Sequence, residues 1–310
     1  MAGAPAMTPL ARPGFASRAG GAPACGVTRP PILVLHATGT NRDREAAWAC
    51  ELAGGAPEIV HVNQLVAGER KLARYRMLVL PGGFSYGDDL GAGKLWAVVL
   101  RHRLADDLAR FIGDGRPVLG ICNGFQALVK SGVLTGLSGE EQQADDEGSS
   151  RDARCAARAP ASQRITLARN DSARFECRWV YLEPQAGSPC IFTRGLAEPV
   201  YCPVAHGEGK LVASDDGVLA SLDRDGLVAR RYVGACVAQG DRRPAGYPWN
   251  PNGSQGDIAG ICNPAGTVLG LMPHPEDHVI AEQHPRFHRG EQGMLGLPLF
   301  ANGVHYASEL

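Results

Sequence analysis

The chain has 310 residues, of which 44% are hydrophobic and 20% are charged, and its formal net charge is −1 at pH 7. This length allows one large domain or two small ones with a substantial core. The balanced charge argues against broad attraction to nucleic acid or to an anionic membrane. The nine cysteines lack C-x-x-C pairs, which favours reduced thiols in the cytoplasm over a disulfide framework or a zinc site.

Residues 1–30 precede the predicted fold. They contain three arginines and no acidic residue, and they lack the continuous apolar core of a signal peptide. We interpret them as a disordered N-terminal extension, with an organellar transit peptide as the alternative. A single domain is predicted over residues 31–310.

From Pro31 onward, apolar runs that end in turn residues alternate with segments of helical periodicity. Strands are predicted for PILVLHATGT, EIVHVNQL, YRMLVLPGG and RPVLGIC, and helices are predicted for NRDREAAWACELAGG and for residues 94–112. This alternation predicts an α/β fold with a mostly parallel open sheet and helices on both faces. In such a sheet, ligands bind beyond the carboxyl ends of the strands.

An interruption follows over residues 138–162, where an acidic block precedes a basic block and large apolar residues are nearly missing. Such a composition cannot bury enough surface to become ordered, so we predict a mobile charged insertion. Strand-like segments resume with QRITLARN, RFECRWVYLEP, VYCPVAHGEG and GLVARRYVG. These are predicted to be antiparallel additions to the same domain.

The tetrapeptide GICN occurs twice, and it raises the question of which cysteine is a nucleophile. Cys122 follows an apolar strand, lies between Gly120 and Gly124, and precedes an amphipathic segment. This is the pattern of a sharp strand-to-helix elbow, and the helix N-terminus there favours the reactive thiolate. Cys262 is followed by a turn and another strand, so we interpret it as a core residue of a hairpin.

A nucleophilic cysteine needs a base that is oriented by a third group. The segment LGLMPHPED supplies His274 and, two residues later, Glu276. In an extended segment these two side chains project to the same side, which allows the carboxylate to orient the imidazole. His206 in HGEGK is the rival base, but its neighbouring glycines predict a flexible loop that shapes a pocket. We therefore predict Cys122, His274 and Glu276 as the catalytic residues.

The glycine-rich loop LPGGFSYGDDLGAG directly follows a predicted buried strand. Its glycines allow backbone N–H groups to point into a site, so the amides of Gly83 and Asn123 are predicted to form an oxyanion hole. The loop lacks the spacing of a phosphate-binding loop. We expect it to reorganise easily, with Asp88 and Asp89 either contacting a partner that turns the Gly83 amide inward or remaining solvated.

These motifs resemble a known family. GICNGFQ, LPGGFSYGDDLGAG, PHPE, RFECRWV, AHGEGK and GYPWNPNGSQGDIAGI are similar to segments of the glutaminase subunits of phosphoribosylformylglycinamidine synthase, which are class I glutamine amidotransferases. The resemblance extends from about Pro31 to the C-terminus and implies the flavodoxin-like sheet of that class. It also implies that Cys122 attacks glutamine, that His274 is the base and Glu276 its orienter, and that Gln126 contacts the substrate.

Gly82, Phe84 and His206 are the other residues that we expect to bind substrate. The resemblance implies no metal or organic cofactor in this chain. It implies delivery of ammonia to a separate synthetase subunit that uses ATP and Mg²⁺ in de novo purine biosynthesis, with a small third subunit as a further partner. The competing interpretations are an amidotransferase of another pathway, a cysteine hydrolase on a similar sheet, and a non-catalytic interaction subunit.

Overall fold

The computed structural model describes residues 29–134, 164–234 and 245–310. The predicted N-terminal extension, apart from its last two residues, and the predicted charged insertion over residues 138–162 lie outside these ranges.

The described residues form strands and helices in alternation over the first half of the domain. The strands are β1 (Pro31–His36), β2 (Ala56–His61), β3 (Met77–Leu80), β4 (Val118–Ile121), β5 (Ile165–Arg169), β6 (Glu176–Pro184), β7 (Val200–His206), β8 (Glu208–Ala213), β9 (Val228–Val233), β10 (Ile258–Cys262) and β11 (Val268–Leu271). The helices are α1 (Asp43–Leu52), α2 (Val62–Val66), α3 (Lys94–Arg103), α4 (Ala105–Gly113), α5 (Asn123–Ser131), α6 (Asp216–Arg224), α7 (Gly246–Trp249) and α8 (Leu297–Glu309). None of these helices is long and apolar enough to cross a bilayer.

Nine strands form one mixed sheet in the order β2-β1-β3-β4-β11-β10-β9-β6-β7. The first five strands in this order, β2, β1, β3, β4 and β11, run parallel to one another. The remaining four, β10, β9, β6 and β7, continue the sheet in antiparallel pairs. The predicted α/β class with antiparallel additions is confirmed. One addition differs in detail, because the QRITLARN strand is β5 and pairs with β8 in a separate two-stranded sheet.

Two predicted elements have different boundaries in the structure. The strand predicted for EIVHVNQL ends at His61, whose ring Nδ1 accepts a hydrogen bond from the Asn63 amide at 3.1 Å and caps α2. The helix predicted over residues 94–112 is two helices, α3 and α4, which meet at the buried and non-helical Leu104. Basic residues end α3 and acidic residues begin α4, as the helix dipole favours, and this signal was overlooked.

The central strands position the functional loops. Strands β3, β4 and β11 are buried along their whole length, because helices cover the parallel part of the sheet. These three strands are neighbours in the order β3-β4-β11, so their carboxyl ends meet at one edge of the sheet. Gly82, Cys122 and His274 follow these ends, where ligands were predicted to bind.

Glycines allow the helix after Cys122 to approach the sheet closely. A Cβ atom on Gly124 would overlap the carbonyl group of Leu80 in β3, and one on Gly120 would lie 2.5 Å from the side chain of Leu128. The Leu80 carbonyl and the Leu128 side chain have no room to move, because both residues belong to the buried core. The two glycines that suggested an elbow are thus required for packing of α5 on β3 and β4.

We expect Gly124→Ala to destabilise the fold by about 3 kcal/mol, because the added methyl group overpacks the contact with backbone atoms of β3. Urea unfolding of the purified protein measures this change. Gly113→Ala is the matched control, since a Cβ at this helical position meets no atom within 4 Å, and its effect should stay below about 1 kcal/mol. Equal unfolding midpoints for the two variants would contradict this account of the elbow.

Candidate active site

Cys122 occupies a sharp turn between β4 and α5. Its backbone torsion angles are φ 49° and ψ −105°, a conformation that is unfavourable for residues other than glycine. Such a conformation costs about 1–3 kcal/mol and persists only where the surroundings hold it. Here the Cys122 N–H donates to the Leu271 carbonyl at 2.8 Å, and the Cys122 carbonyl accepts from the Gln126 N–H at 2.9 Å. The thiol therefore projects from an elbow, as the sequence predicted.

His274 and Glu276 form a buried pair beside this thiol. Nδ1 of His274 lies 2.7 Å from Oε1 of Glu276, and the two side chains are 2% and 0% exposed. Burial alone would lower the pKa of His274, but the Glu276 carboxylate and the Cys122 thiol outweigh burial and raise this pKa well above its usual value. Within the described ranges, Nε2 of His274 has no hydrogen-bond partner, and it is the ring atom available to the thiol.

The local conformation that joins His274 to Glu276 was predicted incorrectly. Residues Pro275–Asp277 form a 3₁₀ turn and not an extended segment. The turn is closed by the Asp277 N–H, which donates to the His274 carbonyl at 3.2 Å, and Pro275 suits its first position because its φ angle is fixed. The turn brings the two predicted residues together by a different geometry.

His206 lies in the same site, and the flexible loop predicted around it is wrong. His206 is 2% exposed and ends β7, and only Gly207 separates it from β8. The Asn170 side chain donates to the His206 carbonyl at 2.7 Å. Burial, and secondarily the charge of His274, lowers the pKa of His206 to about 3. A ring with so low a pKa is a poor base, which favours His274 for that role.

The loop after α7 supports His206, and no local sequence pattern predicts this contact. Asn252 is fully buried, and its Nδ2 lies 3.1 Å from Nε2 of His206 and donates to the Gly209 carbonyl at 2.9 Å. The Asn252 Oδ1 accepts from the Ser254 N–H at 3.1 Å. Asparagine, glycine and serine together predict a turn, but no local pattern places that turn against a strand that is 46 residues away.

Two glycines of the loop after β3 are required by the site. A Cβ on Gly82 would lie 2.5 Å from Cε1 of His274 and 3.4 Å from Cβ of Cys122. Gly83 has φ 140°, which residues with a side chain rarely adopt. Among the described residues, the Gly83 N–H makes no hydrogen bond, and the Asn123 N–H begins α5 and therefore has no partner within the helix. Both amides are available for the predicted oxyanion hole.

Asp88 and Asp89 lie in different environments. Asp88 is half-buried, and its Oδ1 accepts from the Gly93 N–H at 3.1 Å and from Nδ2 of Asn123 at 2.9 Å. Asp89 is exposed. The expectation that both residues are solvated loop charges is therefore wrong for Asp88, which fastens the loop to α5, while contact of either residue with a partner stays a prediction. The ease with which this loop reorganises stays a prediction.

Gln126 and Phe84, both predicted to contact substrate, differ in their surroundings. Gln126 is buried, with Oε1 3.0 Å from Nδ2 of Asn123 and Nε2 donating to the carbonyl of Glu208. Phe84 is 45% exposed and stacks on Phe175 with 6.2 Å between the ring centroids. Substrate contact by either residue stays a prediction.

Cys262 is placed as the sequence predicted. It lies in the antiparallel hairpin of β10 and β11, is fully buried, and has its Sγ 3.5 Å from Oγ of Ser188. The thiol beside the buried imidazole is that of Cys122.

The site contains the elbow thiol of Cys122 and the imidazole of His274, which the buried carboxylate of Glu276 orients. This arrangement at the carboxyl edge of a mixed sheet is that of the triad amidotransferases. The family model of the CobB/CobQ-like glutamine amidotransferase domain matches residues 29–307. The chain is 45% identical to the phosphoribosylformylglycinamidine synthase subunit PurQ of Treponema denticola, over 90% of this chain and 99% of that protein.

A second PurQ relative, from Methanococcus maripaludis, is 38% identical over 83% of this chain and 86% of its own length. Among solved structures, PurLQS from Thermotoga maritima matches with a TM-score of 0.61 and 30% identity, over 90% of this chain and 99% of that chain. The chain belongs to the glutamine amidotransferase family of PurQ subunits, and the resemblance predicted from its motifs is confirmed.

The pKa values of the two buried imidazoles should differ from that of an ordinary histidine in opposite directions. Because the pKa of His206 is lowered to about 3 and that of His274 is raised, His206 should stay neutral and His274 should stay charged between about pH 5 and pH 6.5. NMR titration of histidine labelled at Cε1 measures both, with His206→Gln used for assignment. A His206 midpoint near the ordinary value of about 6.5 would contradict the proposed environment.

Proposed function

We propose that this chain is the glutaminase subunit of phosphoribosylformylglycinamidine synthase. It hydrolyses L-glutamine to glutamate and ammonia and supplies the ammonia to an ATP-dependent synthetase subunit in de novo purine biosynthesis. The observation that carries the proposal is the meeting of Cys122, His274 and Glu276 at one edge of the sheet, in a chain that aligns with PurQ over nearly its whole length.

The reaction begins when the Cys122 thiolate attacks the side-chain carboxamide carbon of glutamine. The amides of Gly83 and Asn123 stabilise the resulting oxyanion, and each such donor typically lowers the barrier by about 3 kcal/mol. His274 gives its proton to the departing ammonia as the C–N bond breaks, which leaves a γ-glutamyl thioester. The neutral His274 then removes a proton from water, whose oxygen attacks the thioester and releases glutamate and the thiol.

Glu276 orients the base and stabilises its charged form. Its carboxylate accepts the proton on Nδ1 of His274 at 2.7 Å, so Nε2 is the nitrogen that exchanges protons at the reacting centre. Because this carboxylate raises the pKa of His274, the imidazole holds a proton when the substrate arrives. That proton is the one the leaving ammonia needs.

The partner is the PurL-type synthetase subunit, and a small PurS-type subunit is a third component. The similarity to PurLQS from Thermotoga maritima over 90% of this chain supports this assignment. The residues of this chain need no cofactor for glutamine hydrolysis, whereas ATP and Mg²⁺ serve the synthetase. The cytoplasm is the proposed location, in keeping with the six cysteines of the described ranges, all of which are free thiols.

Cys122→Ala is expected to abolish glutamine hydrolysis and glutamine-dependent synthesis, while synthesis from added ammonia by the complex survives. The variant loses the nucleophile but keeps the fold and the partner surface. Ammonia release and amidine formation are measured with the synthetase subunit present.

Cys262→Ala is the matched control, because it also removes a buried thiol and should keep glutamine turnover. A diazo-ketone analogue of glutamine should label Cys122. Labelling of Cys262, or full activity of Cys122→Ala, would refute the assignment of the nucleophile to Cys122, whereas absence of glutamine hydrolysis by the wild-type complex would favour a non-catalytic subunit.

Glu276→Gln is expected to leave the protein folded and to lower kcat by roughly 10³-fold or more, because an amide favours the wrong imidazole tautomer and removes the negative charge. Steady-state glutamine hydrolysis measures the change. Asp277→Asn is the neighbouring control and should lose less than about tenfold, since Asp277 faces Arg42 at 3.3 Å. A larger loss of activity for His206→Ala than for His274→Ala would show that His206, and not His274, is the catalytic base.

A further inference from the structure

A connected group of polar side chains lies next to the catalytic residues and takes no part in the mechanism above. It consists of Asp88, Asn123, Gln126, Lys130 and Glu208. Its members come from the glycine-rich loop, from α5 and from β8. Every one is buried or partly buried, so its hydrogen bonds act where water competes weakly.

The side chain of Asn123 ties the loop to the elbow helix at two points. Its Oδ1 accepts from the Ser85 N–H at 3.1 Å, and its Nδ2 donates to Oδ1 of Asp88 at 2.9 Å. Ser85 is two residues beyond Gly83. Because the backbone amide of Asn123 is one predicted oxyanion donor and that of Gly83 is the other, this one side chain links the segments that carry both donors.

Asp88 favours the observed orientation of the Asn123 amide, together with the Ser85 N–H and with Oε1 of Gln126, which lies 3.0 Å from Nδ2 of Asn123. A carboxylate only accepts hydrogen bonds, so it selects the nitrogen end of the amide and leaves the oxygen end for Ser85. The same carboxylate oxygen accepts from the Gly93 N–H at 3.1 Å, which draws the far end of the loop inward. The backbone between is strained, since Tyr86 and Asp88 have φ angles of 54° and 53°. The bonds to Asp88 oppose relaxation of that strain.

Glu208 and Lys130 hold the end of the loop in the same way. The Ala92 N–H donates to Oε2 of Glu208 at 3.3 Å, and its carbonyl accepts from Nζ of Lys130 at 2.5 Å. Lys130 and Glu208 also form an ion pair at 3.6 Å. Lys130 belongs to α5 and Glu208 to β8. The loop is thus fixed to α5 or β8 at Ser85, Asp88 and Ala92.

We propose that Asp88 is a positioning residue for glutamine hydrolysis. Acting through the Asn123 side chain, it sets the Gly83 amide relative to Cys122 before substrate binds, so that the oxyanion hole is formed in advance. The inference rests on the proposed glutaminase function. Asp88 itself touches no reacting atom, and its removal should therefore affect formation of the oxyanion and not the reactivity of the thiol.

The test compares Asp88→Ala with Asp89→Ala, the same change at the adjacent exposed position, in the complex with the synthetase subunit. Glutamine hydrolysis is measured beside alkylation of Cys122 by iodoacetamide, a displacement that forms no oxyanion. Asp88→Ala should lower kcat by about 10- to 100-fold with a smaller change in KM, because a misplaced donor loses part of its effect. Its alkylation rate should change less than about twofold, and Asp89→Ala should change neither rate by more than that.

A double-mutant cycle with Asn123→Ala tests whether Asp88 acts through Asn123. Once Asn123 has lost its side chain, Asp88→Ala should cause little further loss, whereas a strained backbone at residue 88 would act equally in both backgrounds. Asp88→Asn keeps an acceptor oxygen and should retain most of the activity. Asp88→Gly, which suits φ 53°, replaces the alanine variant if that variant does not fold.

Additive losses in the cycle, an equal fall in alkylation and hydrolysis, or equal rates for Asp88→Ala and Asp89→Ala would each overturn the proposal. So would an Asp88→Asn variant as slow as Asp88→Ala. Absence of glutamine hydrolysis by the wild-type complex would refute the glutaminase function itself, and the positioning role with it.

Discussion

The backbone of Cys122 is the constraint on which the site depends. A residue with φ 49° is stable only if both flanking elements hold it, and here β4 lies inside the sheet while α5 packs on it through Gly120 and Gly124. Close packing transmits small displacements because the core has few voids to absorb them. The position of the thiol is thus set by a closely packed part of the core.

Two imidazoles near this thiol show how the environment separates their roles. His274 and His206 are equally buried, and burial favours the neutral form of both. Among the residues that the structure describes, only His274 has a carboxylate partner, and the pKa values of the two imidazoles consequently move in opposite directions. A protonated ring and a neutral ring therefore lie close together at the same pH, which suits the proposed roles of one as a proton-transferring group and the other as a fixed hydrogen-bonding group.

Local patterns were sufficient to find the residues that meet in the candidate site. The elbow of Cys122 and the pair of His274 and Glu276 each fall within a few residues of sequence, and the order of strands and helices brings their loops to one edge. The contacts that were missed join distant segments, as between Asn252 and His206. Asp88 and Asp89 are identical and adjacent in sequence, and only the fold distinguishes the inward residue from the outward one.

The single residue between β7 and β8 limits how the chain can change in length. Gly207 joins a strand of the large sheet to a strand of the small one, and buried and partly exposed residues alternate strictly along β8. Inserting or deleting one residue there would exchange the two faces of β8. Glu208 and Lys210 would then enter the core in place of Gly209 and Leu211. Substitutions at this junction should therefore be tolerated more easily than insertions or deletions.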